Sequence, residues 1–255
     1  MDAWPTWRCA LAPTASRRCL NRPIAIQSPP DHCMPEQLIA AAPHRLIVVE
    51  GPIGVGKTSL AKRLARSFGS ELILEQADEN PFLERFYKNP RSAALQTQLH
   101  FLFQRTRQLE DIRQHDLFDS VRVADYLLEK DRLFARLILD EEEFALYEQI
   151  YAKLAIDAPV PDLVIYLQAP VDVLLERIAR RGIKYEQQIE RSYLEKLQEA
   201  YARFFHAYDS APLLIVNAAQ ADFVGNDRDY EQLFEQLRRI RRGRHYYNPL
   251  KSTDV

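Results

Sequence analysis

Residues 44–60 read HRLIVVEGPIGVGKTSL, and no other stretch narrows the possible folds as far. Four apolar residues, Leu46–Val49, suit a buried strand. The pattern G-x-x-x-x-G-K-[ST] follows at Gly51–Thr58, and helical spacing begins at once. Strand, glycine-rich loop and helix in that order make a phosphate cradle. Glycines at 51, 54 and 56 let the backbone bend so that successive N–H groups face one concavity. The helix beginning near Lys57 adds the positive end of its dipole. Gly51, Gly54, Gly56, Lys57, Thr58 and Ser59 therefore form the expected nucleotide-holding set for ATP. Lys57 reaches the β- and γ-phosphates, and the Thr58 hydroxyl ligates Mg²⁺. The plain alternative is a glycine-rich turn that binds nothing, and the strand–loop–helix context favours the cradle. The pattern leaves the destination of the phosphate open.

The chain has 255 residues and a formal net charge of −2. Its length fits one α/β domain, with or without a tail. The charge argues against a nucleic-acid-binding surface. No apolar run approaches the ~20 residues of a membrane span, so a soluble, cytoplasmic protein is expected. Residues 1–43 differ from the rest: all three cysteines and both tryptophans lie there among scattered prolines, with no sustained hydrophobic periodicity. They lack the apolar core of a secretory signal. They are read as a disordered or non-native extension, with an arginine-bearing transit peptide, or upstream sequence ending before Met34, left open. Residues 44–255 are then the folded domain. From Met34 onward there is no cysteine, which excludes a disulfide framework, a thiolate metal site and a thiol nucleophile there.

Five short apolar runs follow in order: Leu46–Val49, Glu71–Leu74, Val121–Ala124, Leu163–Leu167 and Leu213–Val216. Helical patterns separate them, at Thr58–Phe68, Ser92–His115, Glu141–Leu154, Val171–Arg180, Glu190–Tyr208 and Asp229–Arg242. Asp140 to Glu143 has the form of a capping box. Alternation of this kind predicts an α/β fold of the P-loop NTPase type, three-layered, with a five-stranded parallel sheet flanked by helices.

Ligands of such sheets bind outside the carboxyl ends of the strands. Glu75 ends the second run and Asp125 ends the third, so two carboxylates face the loop. Phosphoryl transfer needs one group to orient the attacking oxygen and one to hold Mg²⁺. Farther along, RIARRGIKYEQ places Arg177 and Arg181 four apart on one helical face, with Gly182 as a break. Such arginines form a lid that neutralises charge on a transferring phosphoryl group, or simply a basic helix end that suits the dipole. Gln98 and Arg105, seven apart, share a face of the second helix, and Gln96 points away from it. Together they suit the edge of a planar heterocycle.

These residues resemble the deoxynucleoside kinase family, its bacterial branch in particular. The resemblance spans roughly residues 45–242. It rests on EGPIGVGKTSL, LEQADENPFLERFYKNP, the QTQ…R helix, ADYLLEKDRLFARL, PDLVIYLQAP and RRGIKYEQQIERSYLEKL. It implies that Glu75 is the general base for the sugar 5′-hydroxyl, that Tyr87 and Glu186 hold the 3′-hydroxyl, and that Gln98 reads the base. Arg105 and Asp131 complete base recognition, Asp125 places Mg²⁺ with Thr58, and Arg177 and Arg181 are lid arginines. Three positions depart from the family pattern. Tyr126 stands where the animal enzymes have the arginine of E-R-S. Ile183 replaces a lid arginine, with Lys184 or Arg180 as candidates to compensate. Tyr185 stands beside Glu186 where an acid is usual.

The expected activity is ATP-dependent phosphorylation of a deoxyribonucleoside at its 5′-hydroxyl for nucleotide salvage. Purine bases are favoured, and the partners are small molecules and a second copy in a homodimer through Ser92–His115 and Glu141–Leu154. Two alternatives compete. One is a kinase for a nucleoside monophosphate or another small acceptor, for which Arg85, Lys88 and Arg91 are the nearby cations. The other is a nucleotide-dependent switch, which would need an N-K-x-D motif that the sequence lacks.

Overall fold

The computed structural model describes residues 44–114, 121–154 and 158–249. The expectations for residues 1–43 and for the helix end at His115 lie outside them. Strand β1 (Leu46–Glu50) is buried at every position, which explains its unbroken apolar run. It leads through the glycine loop into α1 (Lys57–Phe68), whose Leu60, Ala61, Leu64 and Ala65 recur at helical spacing and are buried. Next come β2 (Glu71–Ile73), the short helix α2 (Leu83–Lys88) and the long helix α3 (Ala94–Gln114). Strand β3 (Arg122–Ala124) precedes α4 (Lys130–Ile138) and α5 (Glu141–Leu154). The chain continues through β4 (Leu163–Gln168), α6 (Val171–Arg181), α7 (Arg191–Ala207), β5 (Leu213–Asn217), α8 (Asp227–Arg239) and β6 (Arg244–Tyr247).

The strands lie in the order β2-β3-β1-β4-β5-β6, and every pairing is parallel. Strand β1 sits between β3 and β4, where the winding of the sheet reverses. Ligands of doubly wound sheets bind at that switch point, and the glycine loop leaves from it.

The sheet has six strands, one more than the five expected. The extra strand, β6, is an edge strand whose first three residues are exposed. Its sequence RHYY therefore carries no apolar run to betray it. Helices α2 and α4 were also absent from the sequence reading. The first is only six residues long; the second carries the charged pair Lys130–Asp131 on its buried side, which hides its apolar stripe. Helix α8 begins two residues earlier than expected because the Asn226 side chain caps it, accepting from the N–H groups of Arg228 (3.0 Å) and Asp229 (3.3 Å). Arg122, which interrupts the third apolar run, is explained by register. It lies opposite Glu71 on β2, and its Nε donates to the Glu71 carboxylate at 3.2 Å.

The expected capping box is present. Glu143 N–H donates to Asp140 Oδ1 at 2.8 Å and Asp140 N–H donates to Glu143 Oε2 at 3.3 Å. Under the sheet, Tyr166 of β4 stacks on Phe205 of α7 with ring centres 4.0 Å apart. Tyr201, one turn earlier, lies 5.8 Å from Tyr166. These rings bury a large area and fix α7 beneath the mouth of the loop.

Candidate active site

The glycine loop closes tightly on the sheet and on α6. Gly51 has φ +151°, and a Cβ there would stand 2.5 Å from the Leu167 carbonyl oxygen. Gly54 has φ +82°, and its Cβ would meet Ile178 Cγ1 at 2.8 Å. Helix α1 starts at Lys57 after Gly56, so the amides of its first turn have no intrahelical acceptor and face the loop mouth. Lys57 Nζ donates to the carbonyls of Gly51 (2.9 Å) and Pro52 (3.3 Å). Burial, with the Lys130 ammonium nearby, pulls the Lys57 ammonium down to about 8. Ser59 is exposed in the first turn of α1.

Thr58 Oγ1 donates to Asp125 Oδ2 at 2.5 Å, and the other oxygen of Asp125 accepts the Glu75 N–H at 2.7 Å. Asp125 follows directly on β3, and its own N–H continues the ladder to the Ile73 carbonyl at 3.1 Å. The Asp125 carboxylate thus ties the Glu75 backbone to the first turn of α1. Beside them opens a cavity of about 410 Å³. Lys57, Thr58, Glu75, Tyr87, Gln98, Arg105, Asp125, Arg181 and Glu186 all line it, with Lys130 and Tyr201.

Arg105 organises the floor of this cavity. One terminal nitrogen pairs with Glu75 and the other with Asp131, and its guanidinium rests over the ring of Phe101 at 4.8 Å. Asp131 lies behind Arg105, 1% exposed, and reaches the cavity through it. Arg105 Nε and Thr97 Oγ1 on this wall are buried without a protein partner, so it is short of hydrogen bonds that a polar ligand edge can supply. Gln98 is buried on the same face of α3 and Gln96 is exposed, as the helical spacing required.

Sequence reasoning missed a second layer. Glu50, the last residue of β1, is 0% exposed. Its carboxylate accepts from Gly51 N–H (2.8 Å), Tyr201 Oη (2.9 Å) and Leu127 N–H (2.8 Å). Lys130 Nζ lies 3.4 Å from Glu75 Oε2 and 3.7 Å from Glu50 Oε2. Burial pulls the Lys130 ammonium down to about 8, opposed by Glu50. The available signal was a carboxylate ending a fully apolar strand, and a lysine beside an acid that already had an assigned role.

The arginines of α6 do different things although they share a face. Arg177 donates to the carbonyls of Val55 (3.1 Å) and Ala218 (2.8 Å), clamping the loop from outside the cavity lining. Arg181 pairs with Glu186 through Nε at 2.9 Å and through a terminal nitrogen. Gly182 ends α6 in the left-handed conformation, φ +73°. Ile183 lines the cavity. Arg180 and Lys184, the candidates to compensate for it, are exposed outside that lining. Tyr185 stacks on Tyr87 with centres 5.6 Å apart and donates to Asp78 at 2.9 Å.

A family model described as deoxynucleoside kinase matches residues 47–241. The chain belongs to the deoxynucleoside kinase family. It is 37% identical over 199 residues to a deoxyguanosine kinase of Bacillus subtilis, covering 76% of this chain and 96% of that one. It is 28% identical over 202 residues to a deoxyadenosine/deoxycytidine kinase of the same organism, covering 75% and 91%. A deoxyadenosine kinase structure from M. mycoides, with dCMP and a flexible dCDP bound, superposes with a TM-score of 0.66 at 25% identity, covering 75% of this chain and 98% of that one. The protein is a deoxynucleoside kinase: it phosphorylates a deoxynucleoside for salvage, with ATP as the donor that the family implies.

Magnesium suits the donors of this kinase. Among the described residues no group of three or more His, Cys, Asp and Glu side chains converges on one point. Mg²⁺ with a nucleotide typically takes one or two protein oxygens, the remainder coming from phosphates and water. The adjacent Thr58 and Asp125 oxygens meet that requirement. Arg85, Lys88 and Arg91, needed if the acceptor were a monophosphate, stay outside the cavity lining; Lys88 pairs with Glu84 at 2.6 Å. Among the described residues no helix is long and apolar enough to cross a membrane.

Proposed function

We propose that this kinase transfers the γ-phosphoryl group of ATP to the 5′-hydroxyl of a purine deoxynucleoside, with Glu75 as the base. The observation that carries this is the position of Glu75: its N–H is held by Asp125, its carboxylate by Arg105 and Lys130, and it lines the same cavity as Lys57 and Thr58.

The loop amides, Lys57 and the start of α1 hold the phosphates. Lys57 exchanges its two carbonyl partners for phosphate oxygens, which strengthens its positive charge. Thr58 and Asp125 would hold Mg²⁺, which would neutralise phosphate charge. Glu75 orients the 5′-hydroxyl in line and accepts its proton late, because an alkyl hydroxyl is a poor acid. Arg181, on the cavity wall, closes over the transferring group, contributing charge stabilisation and water exclusion, while Arg177 braces the loop through the Val55 and Ala218 carbonyls. Tyr87 and Glu186 hold the 3′-hydroxyl. Gln98, with the Arg105–Asp131 pair, reads the base. A purine offers both donors and acceptors to that edge, and a deoxyguanosine kinase is among the relatives. The second copy of a homodimer would cover α3 and α5, where Phe103 and Leu146 are 45% and 47% exposed. A cytoplasmic location fits a body without cysteine from Met34 onward.

The test is ATP-coupled phosphorylation of the four deoxynucleosides, their ribo forms and their monophosphates, side by side, with Glu75→Gln as control. Deoxyadenosine and deoxyguanosine should be the best acceptors. Glu75→Gln should bind ATP and lose phosphorylation by about 10²-fold or more. Near-normal turnover removes Glu75 from the role of base, and preference for a monophosphate removes the nucleoside reading.

A further inference from the structure

On the segment joining β3 to α4, position 126 brings no cation to Glu75. Tyr126 is 2% exposed, its hydroxyl has no protein partner, and burial raises its pKa far above the ordinary phenol value. It stays neutral. Its ring lies 5.6 Å from the Arg105 guanidinium carbon, packing against that side chain. The ammonium on this segment belongs to Lys130, the first residue of α4. Its side chain is 4% exposed, it lines the cavity, and it stands between two carboxylates that belong to opposite sides of the reaction.

One of them is Glu75, 3.4 Å away, on the acceptor side. The other is Glu50, 3.7 Å away, fastened to the first glycine of the phosphate loop through the Gly51 N–H. Glu50 also binds the Leu127 N–H, so the turn that delivers Lys130 is fixed by the carboxylate that Lys130 faces. The buried charges make the arrangement costly to lose. Glu50, Glu75 and Asp131 meet Arg105 and Lys130 in direct ion pairs, and Arg105 is already shared between Glu75 and Asp131. Removing one member of such a cluster leaves its partner under-compensated in a medium of low dielectric.

We propose that Lys130 is a positioning residue of the transfer. It holds the Glu75 carboxylate at the acceptor oxygen and ties it, through Glu50, to the loop that holds the donor phosphates. Lys130 forms and breaks no covalent bond. Its contribution is to keep acceptor and donor in one geometry, which acts on turnover more than on ATP binding. This inference rests on the reading of Glu75 as base.

The experiment is a double-mutant cycle on the full chain, with Lys130→Met, Lys130→Arg, Glu75→Gln and Lys130→Met/Glu75→Gln, each checked by thermal melting and ATP binding. Lys130→Met should lower kcat by about 10- to 100-fold and leave the KM for ATP within about threefold. Lys130→Arg should recover most of the loss. In the Glu75→Gln background Lys130→Met should cost no more than about threefold, because the group it positions is already gone. The proposal is overturned by a folded Lys130→Met enzyme with kcat within about threefold of wild type. Equal losses in both backgrounds, or a folded Lys130→Arg enzyme no better than Lys130→Met, also overturn it. If Lys130→Met does not fold, Lys130→Arg alone decides, since retained charge must then keep turnover within about tenfold. Near-normal turnover by Glu75→Gln alone brings down the base assignment and is recognisable apart from any result at Lys130.

Discussion

Gly54 and Asp131 show how differently single residues are committed to the site. Gly54 sits at φ +82° with Ile178 and the Leu174 carbonyl against its open face. Gly54→Ala must strain the backbone by about 1–3 kcal/mol and push α6 away from the loop. ATP affinity, followed by titration calorimetry, should fall while the chain still folds. Asp131 is committed by charge. It faces Arg105, whose side chain is 4% exposed, so Asp131→Ala leaves a buried guanidinium with Glu75 as its remaining direct ion-pair partner among the described residues. A loss of about 3–5 kcal/mol in urea unfolding is expected, together with poorer turnover, because Glu75 would then have Arg105 to itself in an altered position. Sequence made the first of these residues plain, since the glycine pattern states its own geometry. The resemblance brought Arg105 and Asp131 together, but the second grip of Arg105, on Glu75, was invisible: the two residues lie far apart in the chain, and nothing local records that they converge.

At the scale of elements, α5 illustrates a feature fully readable from four letters. Asp140 and Glu143 bond reciprocally, and Asp140→Ala should cost about 1 kcal/mol in thermal or urea unfolding with kcat unchanged, since neither side chain of the box lines the cavity. Helix α4 was not readable because Lys130 and Asp131, its first two residues, are buried charges that look like surface in any scale of hydrophobicity. They are buried because Glu50, Glu75 and Arg105 answer them, and those partners come from β1, the segment after β2, and α3. Strand β6 escaped for the opposite reason: its first three residues are exposed and its pairing to β5 is made by backbone alone. Functional elements and edge elements are where local pattern and tertiary role diverge.

For the molecule as a whole, the family match begins at residue 47, just before the glycine loop. A chain started at Met34 should therefore fold and phosphorylate like the full chain, as judged by kcat and KM; loss of folding would overturn the view of residues 1–33 as external to the fold. The start of the domain also carries a pH signature. His44 is 4% exposed, and burial holds its imidazole below the ordinary 6.5, with Asp162 opposing the shift. Below that value the unfolded chain takes up a proton that the folded one resists, so stability falls as pH drops through 6.5 toward the lower folded value. Urea midpoints at about pH 7.5 and about pH 5.5 should differ less in His44→Gln than in wild type.

The two-way grip of Arg105 has a consequence for discrimination. On the proposed reading, the guanidinium that would meet the base is the same one that pairs with Glu75, so an ill-fitting base would pull on the reacting end directly. Errors of recognition should then surface as slow chemistry more than as weak attachment. A poor nucleoside would occupy the cavity and wait there, competing with good substrates while rarely receiving a phosphate.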